Sequence, residues 1–598
     1  MKWKNGLWLV GLTVTALLAR TLEAQEILKA NNATPLNDAA SWVGGAVPGA
    51  ANVAVWDATV LGANAVDIGG ALTWDGIRIA NPGGAVTING TARLTLDGGA
   101  AVDVDLSAAT QDLTVNAPVT LSASPVVTVN GGRALLFNGG SSVGPLTKNG
   151  AGRLGFSGIS AVGGGNYAAG QTVYDGTVTL SGDHKLTGGS VTLRGAATAI
   201  SGSTDALAIY NGALVLDGGA LTMTNTISSR FFAGRTNADS DGLLIVSNGT
   251  HTILGANNNS MANFIGVSGA KRGRLFMEGG SLSVVYLRLA ANQKGSEDTD
   301  ELIVNGGTLS VIGSTGGDPM SKSFKMGTRF DESATDAATR SGRLEINGGR
   351  FEVPNGTVQI ATDVSSSTGA QQIFLNGGVW AVKKIAIGSS PNVSRTFYFD
   401  GGVLQGTNVI SGTELVDGAA NASFKVRAGG ALLDSCAGDF GFTAALTEDA
   451  ASPGGGLVKL GSGRLTLGGA STYSGPTIVS NGLLRLAGTL AQTNLVVAPG
   501  AGLSLADGAL SRFAPTSLHI GSSGQPSLVE FDVAASGSDC DTLALPAGAW
   551  VQRVNVALYQ QGTRNPVARE GDFPILTYTG SAPSVAWLAW GSPVRGFT

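Results

Sequence analysis

The sequence contains few of the residues from which metal sites and cross-linked folds are built. Only two of its 598 residues are cysteine and three are histidine. His184, His251 and His519 are each isolated along the chain, so no zinc site built from several histidines is expected. Cys436 and Cys540 form either one disulfide or two buried thiols, and the sequence leaves both open. We expect no metal ion and no cofactor.

Charged and aromatic residues are also scarce. Asp, Glu, Lys and Arg make up 13% of the chain and aromatic residues 6%, and the charged share is about half of the usual quarter. The net charge is −5 and no basic block occurs, which argues against nucleic acid as a partner. After the N-terminus no segment is apolar enough to span a bilayer, so the mature chain is not expected to be membrane-spanning.

The N-terminal segment over 1–24 has the form of a secretory signal peptide. Lys2 and Lys4 supply a basic start, and an apolar run follows from Leu7 to Ala19. This run is about 13 residues long, whereas a membrane span needs about 20. Cleavage is expected near Ala24/Gln25, and the mature chain is expected to be secreted or held at the outer cell surface.

Glycine, by contrast, is abundant. The chain has 91 glycines, about 15% against a usual level near 7%. A glycine costs about 1 kcal/mol at each helical position, which excludes a helical bundle. An acidic residue or Asn followed by Gly-Gly recurs through the centre, with a mean step of about 30 residues. These turns are Asp217-Gly218-Gly219, Glu278-Gly279-Gly280, Asn305-Gly306-Gly307, Asn347-Gly348-Gly349, Asn376-Gly377-Gly378 and Asp400-Gly401-Gly402, with Asn248-Gly249 in the long gap.

The residues that flank these turns alternate between polar and apolar, which is the period of a β-strand with one buried face. Around Asn347 the alternation predicts four inward side chains, Leu344, Ile346, Phe351 and Val353, and four outward ones, Arg343, Glu345, Arg350 and Glu352. Asn-Gly turns also suit antiparallel hairpins. A recurrent period of this length favours an all-β solenoid with one coil per repeat.

Residues 457–488 carry a more specific pattern. Leu457-Val458-Lys459-Leu460-Gly461-Ser462-Gly463-Arg464-Leu465-Thr466-Leu467 leads to Thr472-Tyr473-Ser474-Gly475, and Gly482-Leu483-Leu484 follows. This resembles the autotransporter-associated β-strand repeat. A degenerate copy spans 146–182, with Leu146, Lys148, Gly150, Gly152, Leu154 and Tyr167 in matching order. The opening of the mature chain, from Trp42 to Trp56, is also similar to that of exported proteins with this repeat.

The resemblance implies a right-handed parallel β-helix on an exported chain that is surface-associated or released. An autotransporter also needs a membrane barrel, and only the segment over 489–598 follows the last repeat. This segment holds several prolines and glycines, so we expect a passenger-type chain without its own pore.

These patterns divide the chain into seven segments. They are a signal peptide over 1–24, an N-terminal β-solenoid segment over 25–145, a degenerate repeat over 146–182, a central β-solenoid over 183–410, a connector over 411–456, a repeat over 457–488 and a C-terminal β-rich segment over 489–598.

Four short stretches resemble chemical sites and are interpreted as structural. Asn237, Asp239 and Asp241 have the spacing of half a calcium loop, but the bidentate Glu at the twelfth position is missing, so we favour a polar turn. Gly140 to Gly144 matches a nucleophile elbow without its strand-to-helix context and is interpreted as a loop. The acidic cluster from Glu297 to Glu301 is interpreted as a solvated loop. Arg564-x-Pro-x-x-Arg569 matches a pectate-lyase pattern outside the central coils.

The predicted function is that of an exported, non-enzymatic scaffold or adhesin-like passenger, with surface polysaccharide or other cells as candidate partners. No catalytic, cofactor-binding or metal-binding residue is assigned. The alternative is an extracellular polysaccharide-binding or polysaccharide-degrading β-helix. For that reading, the side chains that could stack on sugars if exposed are Trp56, Tyr286, Trp380, Tyr398 and Tyr473.

Overall fold

The computed structural model describes most of the chain from Ala24 onward. The described residues are 24–97, 102–122, 124–158, 160–163, 165–181, 184–200, 207–223, 231–233, 241–253, 263–266, 272–290, 299–313, 324–328, 339–362, 368–407, 413–491, 494–569, 571–580 and 588–590. The predicted signal peptide, apart from Ala24, lies outside them.

The described residues form stacked parallel β-strands, as expected for a solenoid. Every pairing between named strands is parallel. The described part of the chain has no α-helix and only two short 3-10 helices, Ala39–Ser41 and Ala419–Asn421. The Asn-Gly turns therefore connect strands within one coil, and the antiparallel-hairpin alternative is wrong.

The largest sheet, sheet A, has 34 strands in two stacks that share two long strands, Arg350–Ile360 and Val379–Ile387. Its first stack also contains Gln25–Leu28, Asn52–Trp56, Gly76–Ile79, Val104–Leu106, Val126–Val129, Leu146–Asn149, Gly165–Tyr167, His184–Leu186, Leu207–Ile209, Phe231–Ala233, Asn263–Ile265, Leu287–Leu289, Phe324–Met326 and Val416–Asp417. Its second stack also contains Leu72–Trp74, Leu94–Leu96, Val119–Leu121, Ser141–Val143, Ser160–Val162, Val178–Ser181, Ala197–Ile200, Leu221–Met223, Thr250–Ile253, Ser281–Val284, Thr308–Val311, Val403–Gly406, Ala431–Asp434, Leu457–Leu460, Thr477–Val479, Asn494–Val497, Ser517–Ile520 and Trp550–Val551.

Three smaller sheets complete the coils. Sheet B has 16 strands, which are Asn64–Asp67, Val86–Asn89, Leu113–Val115, Ala134–Phe137, Arg153–Phe156, Gln171–Tyr174, Ser190–Leu193, Gly212–Asp217, Asp241–Asn248, Arg272–Met277, Asp300–Val304, Gly342–Ile346, Gly369–Leu375, Val393–Phe399, Ser423–Val426 and Leu446–Glu448. Sheet C has eight, which are Thr413–Glu414, Phe440–Phe442, Arg464–Leu467, Leu483–Leu486, Gly502–Ser504, Ser527–Val533, Val554–Gln560 and Leu588–Trp590. Sheet D has three, which are Arg512–Phe513, Thr542–Leu545 and Leu576–Tyr578.

The strand register gives the length of each coil. In the central segment Leu344 pairs with Ile373 in the next coil, a step that agrees with the period expected from the turns. Coils around the two repeats are markedly shorter, because Leu154 pairs with Thr172 and Leu465 pairs with Leu484. The length of a coil therefore varies along the chain while the strands remain paired in parallel, with register shifts at Leu216/Asp217 and between Val353 and Thr357.

One continuous apolar core runs through the coils, from Leu36 to Val567. The predicted alternation around Asn347 is confirmed. Its four inward side chains, Leu344, Ile346, Phe351 and Val353, are fully buried. The outward charged side chains pair along each strand, and Arg343 and Arg350 each donate a 2.8 Å hydrogen bond to the glutamate two positions further on.

Glycines stack on one another at the corner between sheet B and sheet A. We call this column the glycine spine. It begins at Gly158, and a Cβ built on each later member would lie 2.0–2.6 Å from the backbone oxygen of the glycine one coil earlier. The later members are Gly176, Gly195, Gly219, Gly249, Gly280, Gly307, Gly349 and Gly378. The recurrent Gly-Gly turns are thus required by the close approach of successive coils.

Three tryptophans close the start of the core. Trp42 lies edge-on to Trp56 and Trp74, with ring centroids 5.7 and 5.6 Å away. All three side chains are buried. The Trp42 indole N–H donates to the carbonyl of Leu36 at 2.8 Å, which satisfies the polar end of its ring.

Candidate functional surface and the repeat motif

The lysine of the repeat at 457–488 points into the solenoid. Lys459 is fully buried, and its Nζ donates to the carbonyls of Leu460, Gly461 and Asn481 at 2.7, 2.7 and 3.0 Å and to Ser435 Oγ at 2.9 Å. Burial lowers the pKa of Lys459 to about 8. The ammonium therefore satisfies carbonyls of two successive coils at one corner, a structural task.

The degenerate copy repeats this arrangement. Lys148 is also fully buried, and its Nζ donates to the carbonyls of Asn149, Gly150 and Ala169 at 2.8, 2.7 and 3.2 Å. Burial lowers its pKa to about 8 as well. The same side chain thus links a corner to the next coil in both copies.

The tyrosines of the two copies are interior too. The Tyr473 hydroxyl lies 2.6 Å from Thr477 Oγ1, and burial raises the pKa of Tyr473 to about 12. The Tyr167 hydroxyl lies 3.2 Å from that of Tyr174 and 3.1 Å from His184 Nδ1. Each hydroxyl therefore has a partner within the core.

The outer surface of sheet B carries a column of aromatic and charged side chains, which we call the outer stack. Phe374 and Tyr398 are neighbours in successive coils, with ring centroids 4.6 Å apart and nearly parallel planes. The Arg343 guanidinium lies 4.5 Å from the Phe374 ring, and that of Arg427 lies 4.3 Å from the Tyr398 ring. Arg427 also pairs with Asp449 at 2.7 Å. Phe374 is only 8% exposed, whereas Tyr398 and the two arginines are partly exposed, so this ordered surface presents one aromatic ring and two cations.

The sequence pattern does not mark the outer stack as a unit. Phe374 follows Ile373 and precedes Leu375, so the local run shows no alternation that would mark it as outward. The one signal in the sequence is that Arg343, Phe374, Tyr398 and Arg427 follow one another at about the length of a coil. This spacing predicts contacts between them only when the strand register is known.

Comparison with known proteins identifies the repeat to which the inward pattern belongs. Residues 457–486 match the family described as the passenger-associated-transport-repeat. The chain contains one such repeat at these residues. The match covers Lys459, Tyr473 and Thr477, all of them buried, so it describes how the coils at this place are built.

A characterised relative is an adhesin. The chain is 30% identical over 243 residues to the adhesin BmaC autotransporter of Brucella suis biovar 1 (strain 1330). The aligned residues are 40% of this chain and span only 6% of the length of that relative.

Four of the five aromatic side chains considered for sugar stacking are buried. Trp56 and Trp380 are fully buried, and Tyr473 and Tyr286 are 2% and 4% exposed. Sugar stacking on these four is therefore wrong, because they fill the core. Only Tyr398 lies on the outside, where it belongs to the outer stack.

The two arginines of the pectate-lyase pattern hold the C-terminal coils together. Arg564 makes a two-pronged ion pair with the buried Glu530 at 2.9 and 3.0 Å. Burial alone would lower the pKa of Arg564, but the hydrogen bonds and charge of Glu530 outweigh it and raise that pKa. Arg569 donates to the carbonyl of Ala534 at 2.9 Å. A guanidinium held charged in this way is unsuited to act as a base.

Two stretches interpreted as loops are strands. Ser141–Val143 is a strand of sheet A, so the loop assigned to residues 140–144 is wrong, and Ser141 and Val143 point inward while Ser142 is exposed. Asp300–Val304 is a strand of sheet B. Asp300 is buried and its Oδ1 accepts from the Gly273 N–H at 2.7 Å, so a solvated loop is wrong there, whereas Glu297 and Asp298 lie outside the described residues.

The calcium-like stretch is described only in part. Asn237 and Asp239 lie outside the described residues. Asp241 is paired with Arg272 at 3.0 Å and Arg274 at 2.7 Å. Burial raises its pKa, but these two arginines outweigh burial and lower it, so the Asp241 carboxylate is already neutralised by protein cations.

The two cysteines are not bonded to each other, and His251 and His519 contact different residues. Cys436 and Cys540 are free, partly buried thiols. His251 is buried; its Nδ1 accepts from the Leu221 N–H at 3.1 Å and its Nε2 lies 2.7 Å from the Asn248 carbonyl. His519 is exposed and lies against Trp550, with ring centroids 3.9 Å apart.

Among the described residues, no three His, Cys, Asp or Glu side chains are grouped so that they could hold a metal ion. The same part of the chain contains no apolar helix of membrane-spanning length.

Proposed function

We propose that this chain is an exported, non-enzymatic β-solenoid that acts as an adhesin-like scaffold at the cell surface or in the extracellular space. The observation that carries the proposal is that inward and outward side chains have different tasks in this solenoid. The buried side chains of the matched repeat, Lys459, Tyr473 and Thr477, build the coils, whereas the outer stack on sheet B forms an ordered outer surface on which Tyr398 is partly exposed. A long solenoid with a patterned outer surface suits recognition by contact.

Export through cleavage near Ala24/Gln25 is part of the proposal. It is supported by the first strand, Gln25–Leu28, which begins directly after the proposed cleavage position and pairs with Asn52–Val55. N-terminal sequencing of exported protein should begin at Gln25. A chain that retains Met1 outside the cell would contradict it.

Adhesion is tested with beads coated with the purified mature chain. Coated beads should bind cultured animal cells or matrix-coated wells more than beads coated with an unrelated exported protein. The double substitution of Phe374→Ala and Tyr398→Ala should reduce binding, because it removes both rings of the outer stack. Thr396→Ala is the matched control, since it lies two positions from Tyr398 on the same outer face. Binding no greater than that of the unrelated protein on every surface would contradict the scaffold role.

The degrading alternative is tested with acidic polysaccharides, with and without calcium. The scaffold proposal expects no product. Robust cleavage that is lost in Arg564→Ala would overturn it, provided that circular dichroism shows the variant to be folded.

A further inference from the structure

The chain contains many Asn-Gly pairs, and the asparagine of such a pair can lose its side-chain amide in an intramolecular reaction. The backbone nitrogen of the glycine attacks Cγ of the preceding asparagine, a new N–Cγ bond forms, and the Cγ–Nδ2 bond breaks with release of ammonia. Water then opens the five-membered succinimide to aspartate or isoaspartate. Glycine favours the reaction because it has no Cβ to obstruct ring closure. The reaction needs a free side-chain amide and a glycine nitrogen that is not held elsewhere.

At two central turns, both the asparagine side-chain amide and the following glycine nitrogen are hydrogen-bonded to other residues. Asn347 Nδ2 donates to Asn305 Oδ1 at 2.8 Å, and Asn347 Oδ1 accepts from Asn376 at 2.9 Å. Asn305 Nδ2 in turn donates to Glu278 at 2.9 Å. The glycine nitrogens of these turns, at Gly306 and Gly348, donate to carbonyls of the coil before at 3.0 and 3.1 Å. Attack requires these bonds to open first.

At two other turns the geometry is different. The Gly249 N–H donates to Oδ1 of Asn248 at 2.8 Å, and the Gly482 N–H donates to Oδ1 of Asn481 at 2.8 Å. Both asparagines are exposed. Among the described residues, no neighbouring coil binds either side-chain amide. The attacking nitrogen therefore already lies beside the side-chain carbonyl.

We propose that Asn248 and Asn481 are sites of spontaneous succinimide formation and conversion to aspartate and isoaspartate, and that the stacked Asn305 and Asn347 are protected. Solvent supplies the water and takes up the ammonia, so no other reactant is needed.

The modification changes the interior of the coil. The Asn481 carbonyl accepts from the buried Lys459 at 3.0 Å, and the Asn248 carbonyl lies 2.7 Å from Nε2 of His251. Isoaspartate routes the backbone through Cβ and Cγ, which adds a methylene to it, and converts the former backbone carbonyl into a free α-carboxylate. The acceptor of the buried donor is then no longer part of the peptide backbone and carries a negative charge, so the contact at this corner changes.

The test is peptide mapping of the full purified chain after incubation in warm neutral buffer. Mass spectrometry should show the exchange of an amide NH2 for OH, and electron-transfer fragmentation should separate isoaspartate from aspartate. In the folded chain Asn248 and Asn481 should convert about tenfold or more faster than Asn305 and Asn347, because the stacked turns must first lose several hydrogen bonds. When the chain is unfolded with urea, the rates of deamidation at the four asparagines should converge, because glycine follows each of them.

A substitution isolates one site. Asn481→Gln keeps an exposed amide and needs a less favourable six-membered ring, so its peptide should stay unmodified while Asn248 continues to react. Equal rates at all four sites in the folded chain, or faster conversion at Asn347 than at Asn481, would overturn the proposal.

Discussion

Replacing one glycine of the spine with alanine should open the stack of coils at that point. Gly195 is the best position, because its backbone lies outside the positive-φ region and only the space for a Cβ is at issue. A Cβ there would lie 2.0 Å from the Gly176 carbonyl oxygen and 2.5 Å from its carbon. Both are backbone atoms, which cannot rotate away as a side chain can.

The magnitude follows from how far the backbone must move. The oxygen has to recede from 2.0 Å to at least the 3.4 Å of an ordinary contact. The same corner holds two ladder bonds, from Arg194 N and Gly195 N to the Tyr174 carbonyl at 2.9 and 3.2 Å, which that movement weakens. Overpacking costs about 1–3 kcal/mol, and the lower entropy of the unfolded alanine chain returns about 0.4–1 kcal/mol. The net destabilisation should be about 1–2 kcal/mol.

Gly62→Ala is the matched control. Gly62 also lies outside the positive-φ region, but nothing lies within 4 Å of its Cβ position. Only the entropy term acts there, so this variant should be unchanged or up to about 1 kcal/mol more stable. The two substitutions are therefore expected to shift stability in opposite directions.

Hydrogen exchange is the decisive assay, supported by urea unfolding followed by circular dichroism. Each coil of a solenoid contacts mainly its neighbours, so the effect of Gly195→Ala should be local. Amides of Gln171–Tyr174 and Ser190–Leu193 should exchange faster, while those of Leu457–Leu460 should not change. If Gly195→Ala and Gly62→Ala show the same unfolding midpoint and the same exchange, close backbone contact does not explain the glycine spine.

Three further predictions concern buried polar groups. Lys459→Met should lower the free energy of unfolding by about 2–4 kcal/mol, because three partly buried carbonyls at the corner lose their donor. The outward Lys425→Met is its control in the same urea titration, and equal losses would contradict the structural role. Burial lowers the pKa of His251 below its usual value, so the stability it contributes above pH 6.5 should be lost as the pH falls through the folded pKa. His251→Gln should flatten the fall in urea midpoint between about pH 7 and 5, and an unchanged slope would refute this. Burial raises the pKa of Asp541 from 3.8 to about 6, so its contribution is largest below pH 3.8 and is lost as the pH rises through 6. The stability of Asp541→Asn relative to the native chain should therefore increase from about pH 4 to 7, and a decrease over that range would refute it.

The solenoid was predictable because its requirements are local. A strand needs alternation, and a corner where coils approach needs glycine, so Asn347-Gly348-Gly349 and its flanks show both in a short window. The length of individual coils was less predictable. The short coil that begins at Leu154 and the longer one that begins at Leu344 both return to a parallel pairing with the same sheet, although their lengths differ.

The role of individual side chains was harder to predict. Successive residues of a strand point alternately into the core and out to the surface, so a shift of one position reverses the prediction. Trp380 and Tyr398 are both aromatic residues in strands of the central coils, yet one is fully buried and the other lies on the outer surface. The buried Lys459 shows the opposite case, since a charged residue is usually placed outside. Its interior position depends on carbonyls from two coils, among them that of Asn481, and only the stacking brings these together.

The inward position of the repeat residues limits what similarity to this family can say about binding. The corner of the coil is built by three buried side chains, Lys459, Tyr473 and Thr477. Another chain could therefore keep these residues and carry a different outer surface. Recognition must then depend on outward positions, where neighbours in contact come from successive coils about 20 to 40 residues apart in sequence. Tyr398 meets Phe374 in this way. Specificity in such a chain is therefore set by which outward residues the register aligns, and a change in the length of one coil leaves those columns intact as long as the strand register is kept.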